Sequence, residues 1–165
     1  MWLRLIVAIG LAACAASRSS PTPVPTPVPT PTPGPAGYDA ELARRLGADE
    51  YGMARYVMAF LKPGPTRDQP EEEAKRLMKA HLANIERLAS DGKLVLAGPF
   101  LDDGPLAGIY VFKVATVEEA RALTATDPAI QAGRLVMELH PWYGSAALQE
   151  INAIHKRLQQ KRVAE

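Results

Sequence analysis

The side chains with most chemistry to offer in this chain are three histidines, one cysteine and a few well-placed carboxylates. His81 follows Leu77 by four positions and Met78 by three, and precedes Ile85 by four. That spacing puts it on the inward side of a helix. Taken alone, an inward His is more often a hydrogen-bonded structural residue than a proton carrier. An imidazole that does meet a ligand is suited to proton transfer near neutral pH. Asp127 precedes Pro128, where a carboxylate ordinarily caps a turn. His140, Trp142 and Tyr143 cluster at the expected end of an apolar run, where interface packing or a strand-end plug outweighs pocket lining. His155, beside Lys156 and Arg157, reads as solvated surface. The histidines lack metal-ligand spacing, and neither a Ser-His-Asp elbow nor a phosphate loop occurs, so no metal and no cofactor is expected.

Cys14 carries chemistry of another kind. Arg4 supplies a positive charge, an apolar run follows, and the run ends in Leu11-Ala12-Ala13-Cys14. The run is far short of the roughly 20 residues that span a bilayer as a helix. A charged start, a short apolar stretch and small residues before a break describe a secretory signal over residues 1–13. The ending resembles the bacterial lipobox, which implies acylation of Cys14 and cleavage on its N-terminal side. Two or three acyl chains hold firmly where one holds weakly. The expected location is therefore the bacterial cell envelope, with the chain bound to a membrane through its lipid. Ala15 in place of Asp points to the outer membrane, on its periplasmic side, if the host is Gram-negative. With this one cysteine used, neither a disulfide framework nor a thiolate metal site can be built.

Residues 14–37 follow as a tether. Within it the run PTPVPTPVPTPTPGP alternates proline with Thr, Val or Gly. Each proline fixes φ and extends its neighbour. The run predicts a stiff polyproline II spacer of roughly 45 Å, at about 3.1 Å per residue. The remaining chain, about 110 to 128 residues, suits one domain. With 19 Lys plus Arg against 18 Asp plus Glu, electrostatics gives no case for nucleic acid.

Residues 38–53 predict a short helical lead-in, capped by Asp39 and closed by Gly47. The core of the domain spans residues 54–144. Residues 55–61 predict a strand, and a long helix runs from about Pro70 to Asp91. It has Glu71, Glu72 and Glu73 at its positive end and Gly92 beyond its close. Its apolar stripe is Ala74, Leu77, Met78, Leu82, Ile85, Leu88 and Ala89. Two strands follow at residues 94–100 and 108–114. A second helix begins at Thr116, with Glu119 in capping-box position, and Asp127-Pro128 ends it. A fourth strand covers residues 134–140. Residues 145–165 form a C-terminal helix with Leu148, Ile151, Ile154 and Leu158 on one side. The order βαββαβ is the split βαβ pattern of an α+β, ferredoxin-like sandwich with an extra C-terminal helix. Strands one and three are apolar at successive positions, which demands cover on both faces. A second copy of the sheet, giving a homodimeric α+β barrel, is the simplest second cover. The competitor is the C-terminal helix of the same chain.

The domain resembles the YCII-related (YciI-like) family of dimeric α+β barrels over about residues 54–143. The resemblance is carried by Tyr56-Val57-Met58, by His81-Leu82, and by Asp91-Gly92-Lys93-Leu94 with Ala97-Gly98-Pro99-Phe100. It continues through Gly108-Ile109-Tyr110, Glu118-Glu119-Ala120-Arg121, Asp127-Pro128 with Gly133, and His140-Pro141-Trp142. It implies that His81 and Asp127 form an active-site pair acting on a small organic molecule by acid-base chemistry. Family membership fixes a fold better than a reaction. A non-catalytic ligand-binding or envelope scaffold is the other reading, so whether the protein is an enzyme stays open at this level. The leader makes one direct prediction. Cys14→Ser should abolish incorporation of an alkyne-bearing palmitate analogue in the native host, and labelling at the wild-type level would rule the anchor out.

Overall fold

Strand β1 (Met53–Pro63) pairs antiparallel with β3 (Gly108–Phe112) on one side and with β4 (Leu135–Ser145) on the other. Strand β2 (Leu94–Pro99) adds to the far edge of β3, which gives the order β2-β3-β1-β4. The computed structural model describes residues 37–162; the leader, Cys14 and the rest of the tether lie outside them. Helix α2 (Glu71–Ser90) crosses from β1 to β2. Helix α3 (Val117–Thr124) and the single-turn α4 (Pro128–Gln131) cross from β3 to β4. This is the βαββαβ, ferredoxin-like α+β arrangement that the element order predicts. Helix α1 (Ala40–Leu46) precedes it, and a 3-10 turn (Ala146–Glu150) and α5 (Ile151–Leu158) follow.

Local chemistry sets the boundaries. Asp39 accepts from the Leu42 N–H at the start of α1, and Gly47 closes that helix at a φ of 62°. Thr116 and Glu119 form a complete capping box at the start of α3. The fourth strand departs from expectation: it runs to Ser145, so His140, Trp142 and Tyr143 lie within it, opposite Met58, Tyr56 and Arg55. Pro141 does not stop it, because β4 is an edge strand and a missing N–H is tolerated where it faces away from the ladder.

The successive apolar residues of β1 do divide between two faces. Val57, Ala59 and Leu61 join Leu88, Leu94, Tyr110, Phe112 and Ala120 in the core beneath the helices. On the other face Tyr56, Val95 and Val111 are covered by Trp142 and Leu148. Further along that second face Phe60 pairs in register with Ile109 and Met58 with Val111, and Met58, Phe60 and Ile109 are only half-buried. The C-terminal segment thus covers one end of the second face.

Two amphipathic readings are corrected. The fully buried line of α2 is Leu77, His81, Asn84 and Leu88, while Met78 is 52% exposed. The predicted stripe is wider than the contact with the sheet: Ile85 packs against the central core, while Met78 and Leu82 lie to its side. In α5 the expected apolar side is not buried either, since Ile154 and Leu158 are 46% and 74% exposed. Leu148 belongs to the preceding 3-10 turn, whose different angular step breaks the alignment read from sequence.

Candidate functional site

Helix α2 aims His81 inward, and the start of α4 brings Asp127 up to meet it. His81 Nδ1 lies 2.7 Å from Asp127 Oδ2, and both side chains are almost wholly buried. With the carboxylate ionised, Nδ1–H donates and Nε2 is left as the second, exchangeable nitrogen. Asp127 is fixed in turn. Its Oδ1 accepts from the Ala129 N–H at 2.9 Å, which caps α4 just ahead of Pro128 at the first helical position. The turn-capping role and the pairing role therefore coexist, one on each carboxylate oxygen.

The third member of the site is Tyr110. It stands on β3 with its ring stacked on His81, the centroids 6.2 Å apart, and its hydroxyl is 3.3 Å from His81 Nε2. Burial, with a smaller contribution from the Asp127 charge, pushes the Tyr110 hydroxyl well above the usual phenol range. It is therefore held as a neutral O–H, a donor to Nε2 at rest. Sequence reasoning placed Tyr110 in a strand and gave it no role. The available signal was its polar tip in an otherwise apolar strand, because a buried Tyr hydroxyl needs a partner.

A polar latch secures the approach of the helices. Arg87 donates to Asn84 Oδ1 at 2.7 Å and to Thr126 Oγ1 at 2.9 Å. This ties α2 to the residue next to Asp127.

His81 and Tyr110 open onto a cavity of about 830 Å³ bounded by α2, β2 and α5. Its walls include Met78, Leu82 and Ile85 from α2 and Leu96 and Pro99 from β2. This is where the solvent-side edge of the α2 stripe goes. His155 is exposed, as expected, and it also borders this cavity.

The aromatic cluster on β4 lies elsewhere, and none of its members lines the cavity beside His81. His140 Nε2 is 3.0 Å from Glu138 Oε1, and Glu138 also accepts from Lys62. Those hydrogen bonds, Lys62 first, hold the Glu138 carboxyl below its ordinary value. Trp142 packs on Tyr56 at 5.8 Å. Tyr143 donates to Asp49, which pushes the phenol up to about 12 and lowers the carboxyl. Among the described residues no three His, Cys, Asp or Glu side chains gather as a metal site would require.

The βαββαβ order and the four-stranded antiparallel sheet make this a small ferredoxin-like α+β domain. Residues 56–143 match the YCII-related domain, and the chain belongs to that family. A solved structure, 5-chloro-2-hydroxyhydroquinone dehydrochlorinase (TftG) from Burkholderia phenoliruptrix AC1100 in complex with 2,5-dihydroxybenzoquinone, is similar to this chain at 19% identity. The likeness has a TM-score of 0.40 and covers 52% of this chain and 92% of that one. No curated protein sequence matches.

The double duty of Asp127 generates a stability prediction. Asp127→Ala removes a helix cap, about 1 kcal/mol, and a buried charge-assisted hydrogen bond, about 1.5–3 kcal/mol. Urea unfolding should show a loss of about 2.5–4 kcal/mol on that reckoning. Asp127→Asn keeps a capping oxygen and should lose clearly less. An Asp127→Asn variant as stable as the wild type would count against the carboxylate acting through His81, because the cap alone would then account for the Asp127→Ala loss.

Proposed function

We propose that this chain is an envelope-anchored, YciI-like acid-base catalyst acting on a small organic molecule. In this reading His81 Nε2 accepts a proton from the bound molecule. The electron pair left behind forms a new π bond or expels a leaving group, and His81 becomes an imidazolium held by Asp127. The proton then returns to the substrate at another atom or departs with the leaving group, which restores neutral His81. Tyr110, kept protonated, would swing its O–H from Nε2 to the oxygen on which charge develops. The observation that carries the proposal is the 2.7 Å pair with its free nitrogen turned to a hydroxyl at the edge of an apolar cavity. Acylated Cys14 and the proline-rich tether would hold the domain off a membrane.

A catalyst that removes a carbon-bound proton also labels its substrate in heavy water. The full chain, incubated with a host metabolite extract in D2O, should change the mass of at least one small molecule. His81→Ala should remain folded at the assay temperature, though with a lower melting point because Asp127 loses its partner, and should lower that exchange by about 10²- to 10⁴-fold, the usual scale for a positioned acid-base group. If every mass change survives in His81→Ala, the catalytic role is excluded and the scaffold reading remains.

The homodimer forms the second half of the proposal. Met58, Phe60 and Ile109 are only partly buried on the second sheet face, and the C-terminal segment covers mainly its other end. A second copy of this face is the cover that would bury them. Light scattering on the full chain carrying Cys14→Ser should give twice the monomer mass at micromolar concentration. A monomer there would leave α5 and its preceding turn as the whole cover.

A further inference from the structure

Helix α5 is turned opposite to an ordinary packing helix. Ile151, Asn152, His155, Lys156 and Gln159 recur at spacings of three and four, and this largely polar side borders the cavity. Ile154 and Leu158 face water instead. An amphipathic helix docked for burial alone would present its apolar side to the apolar wall. The orientation is pinned at both ends. Asn152 Nδ2 donates to the Leu94 carbonyl at 2.7 Å, and Arg162, just beyond the helix, pairs with Glu86 on α2.

The charges around the cavity are not balanced. Glu86 is the one carboxylate among the described lining residues and is engaged by Arg162. Lys156 and His155 then put basic groups on a wall that faces Met78, Leu82 and Ile85. The cavity is polar in two places: at His81 with Tyr110, and along α5. Between these lies apolar surface. Its volume of about 830 Å³ falls within the roughly 300–1,000 Å³ of small-molecule sites.

We propose that the cavity takes an organic anion, with a flat or chain-like apolar body against α2 and an acid group held by Lys156 and His155. The reacting end of the molecule then lies at His81. This assignment rests on the reading that the cavity beside His81 is the ligand site, and it adds the chemical class of that ligand. The selecting residues lie on α5, outside residues 56–143 that carry the family match, so the preference belongs to this chain's C-terminal addition.

The test titrates the full chain with 2-naphthoate and with its neutral isostere 2-naphthamide. The anion should bind about tenfold more tightly or better, the scale of one charge-assisted contact. Raised salt should narrow the gap. The double variant His155→Gln with Lys156→Gln changes exposed positions only, so the fold should hold. It should bring 2-naphthoate down to the level of 2-naphthamide and leave 2-naphthamide unchanged. His81→Ala should keep the preference for the anion, because Lys156 and His155 lie on the other wall. Equal affinity of the wild type for the two probes overturns the proposal, as does a preference that survives the double variant or binding of neither probe. Deuterium exchange reports separately on catalysis: an anion preference without any His81-dependent exchange leaves the binding assignment standing and sinks the catalytic one.

Discussion

One hydrogen bond organises the helix face of this domain. His81 lies midway along α2 and Asp127 at the head of α4, 46 positions later in sequence, and their 2.7 Å contact is made where almost no water reaches. Burying a carboxylate is costly unless its lone pairs are satisfied. Here they are divided: one oxygen takes the imidazole N–H and the other takes the Ala129 N–H. Neither α2 nor the α3–α4 junction can shift without exposing an unpaired buried charge. The Arg87 contacts to Asn84 and Thr126 guard the same junction from the solvent side. The geometry of the site and the packing of the crossover helices are therefore one constraint.

The sheet imposes the second constraint. Its inner strands are apolar on both sides, and the helices cover only one. The turn after β4 brings Leu148 over Tyr56, Val95 and Val111, while Met58, Phe60 and Ile109 stay only partly buried. That division also frees α5 from core duty. The helix itself lies along β2 instead and forms a wall of the cavity.

Much of this was legible in the residues. Strand and helix order followed from apolar runs, Gly and Pro punctuation and the Thr116–Glu119 box, because each of these acts within a few residues. His81 could be set on the inward side of its helix by spacing alone. Its partner could not, since nothing local distinguishes an Asp that caps a turn from one that also reaches a ring 46 positions away; the family resemblance supplied that link. Tyr110 stayed hidden for a related reason: a tyrosine in a β-rich run satisfies strand propensity fully, and its hydroxyl matters only once α2 is laid across it. The outward turn of Ile154 and Leu158 was misread because a period of 3.6 was carried through a 3-10 turn. The length of β4 was misread because proline is a strand breaker only where its N–H is needed.

The geometry of the site is compatible with its being both buried and, in the proposed reading, reactive. A neutral imidazole sunk beside an apolar cavity would leave Nε2 without a partner, and such groups are rare in folded proteins. Tyr110 fills that need, but at 3.3 Å the contact is long for a hydroxyl-to-nitrogen hydrogen bond and correspondingly weak. In the proposed reading, a ligand atom that offered Nε2 a better partner would displace it at small cost. The hydroxyl so released stays protonated, because burial and the charge of Asp127 disfavour the phenolate. It must then find a new acceptor in the same confined space, and the nearest candidate is the ligand itself. In the proposed catalytic reading, a bound molecule would thus exchange the weakest internal bond of the site for two contacts with itself.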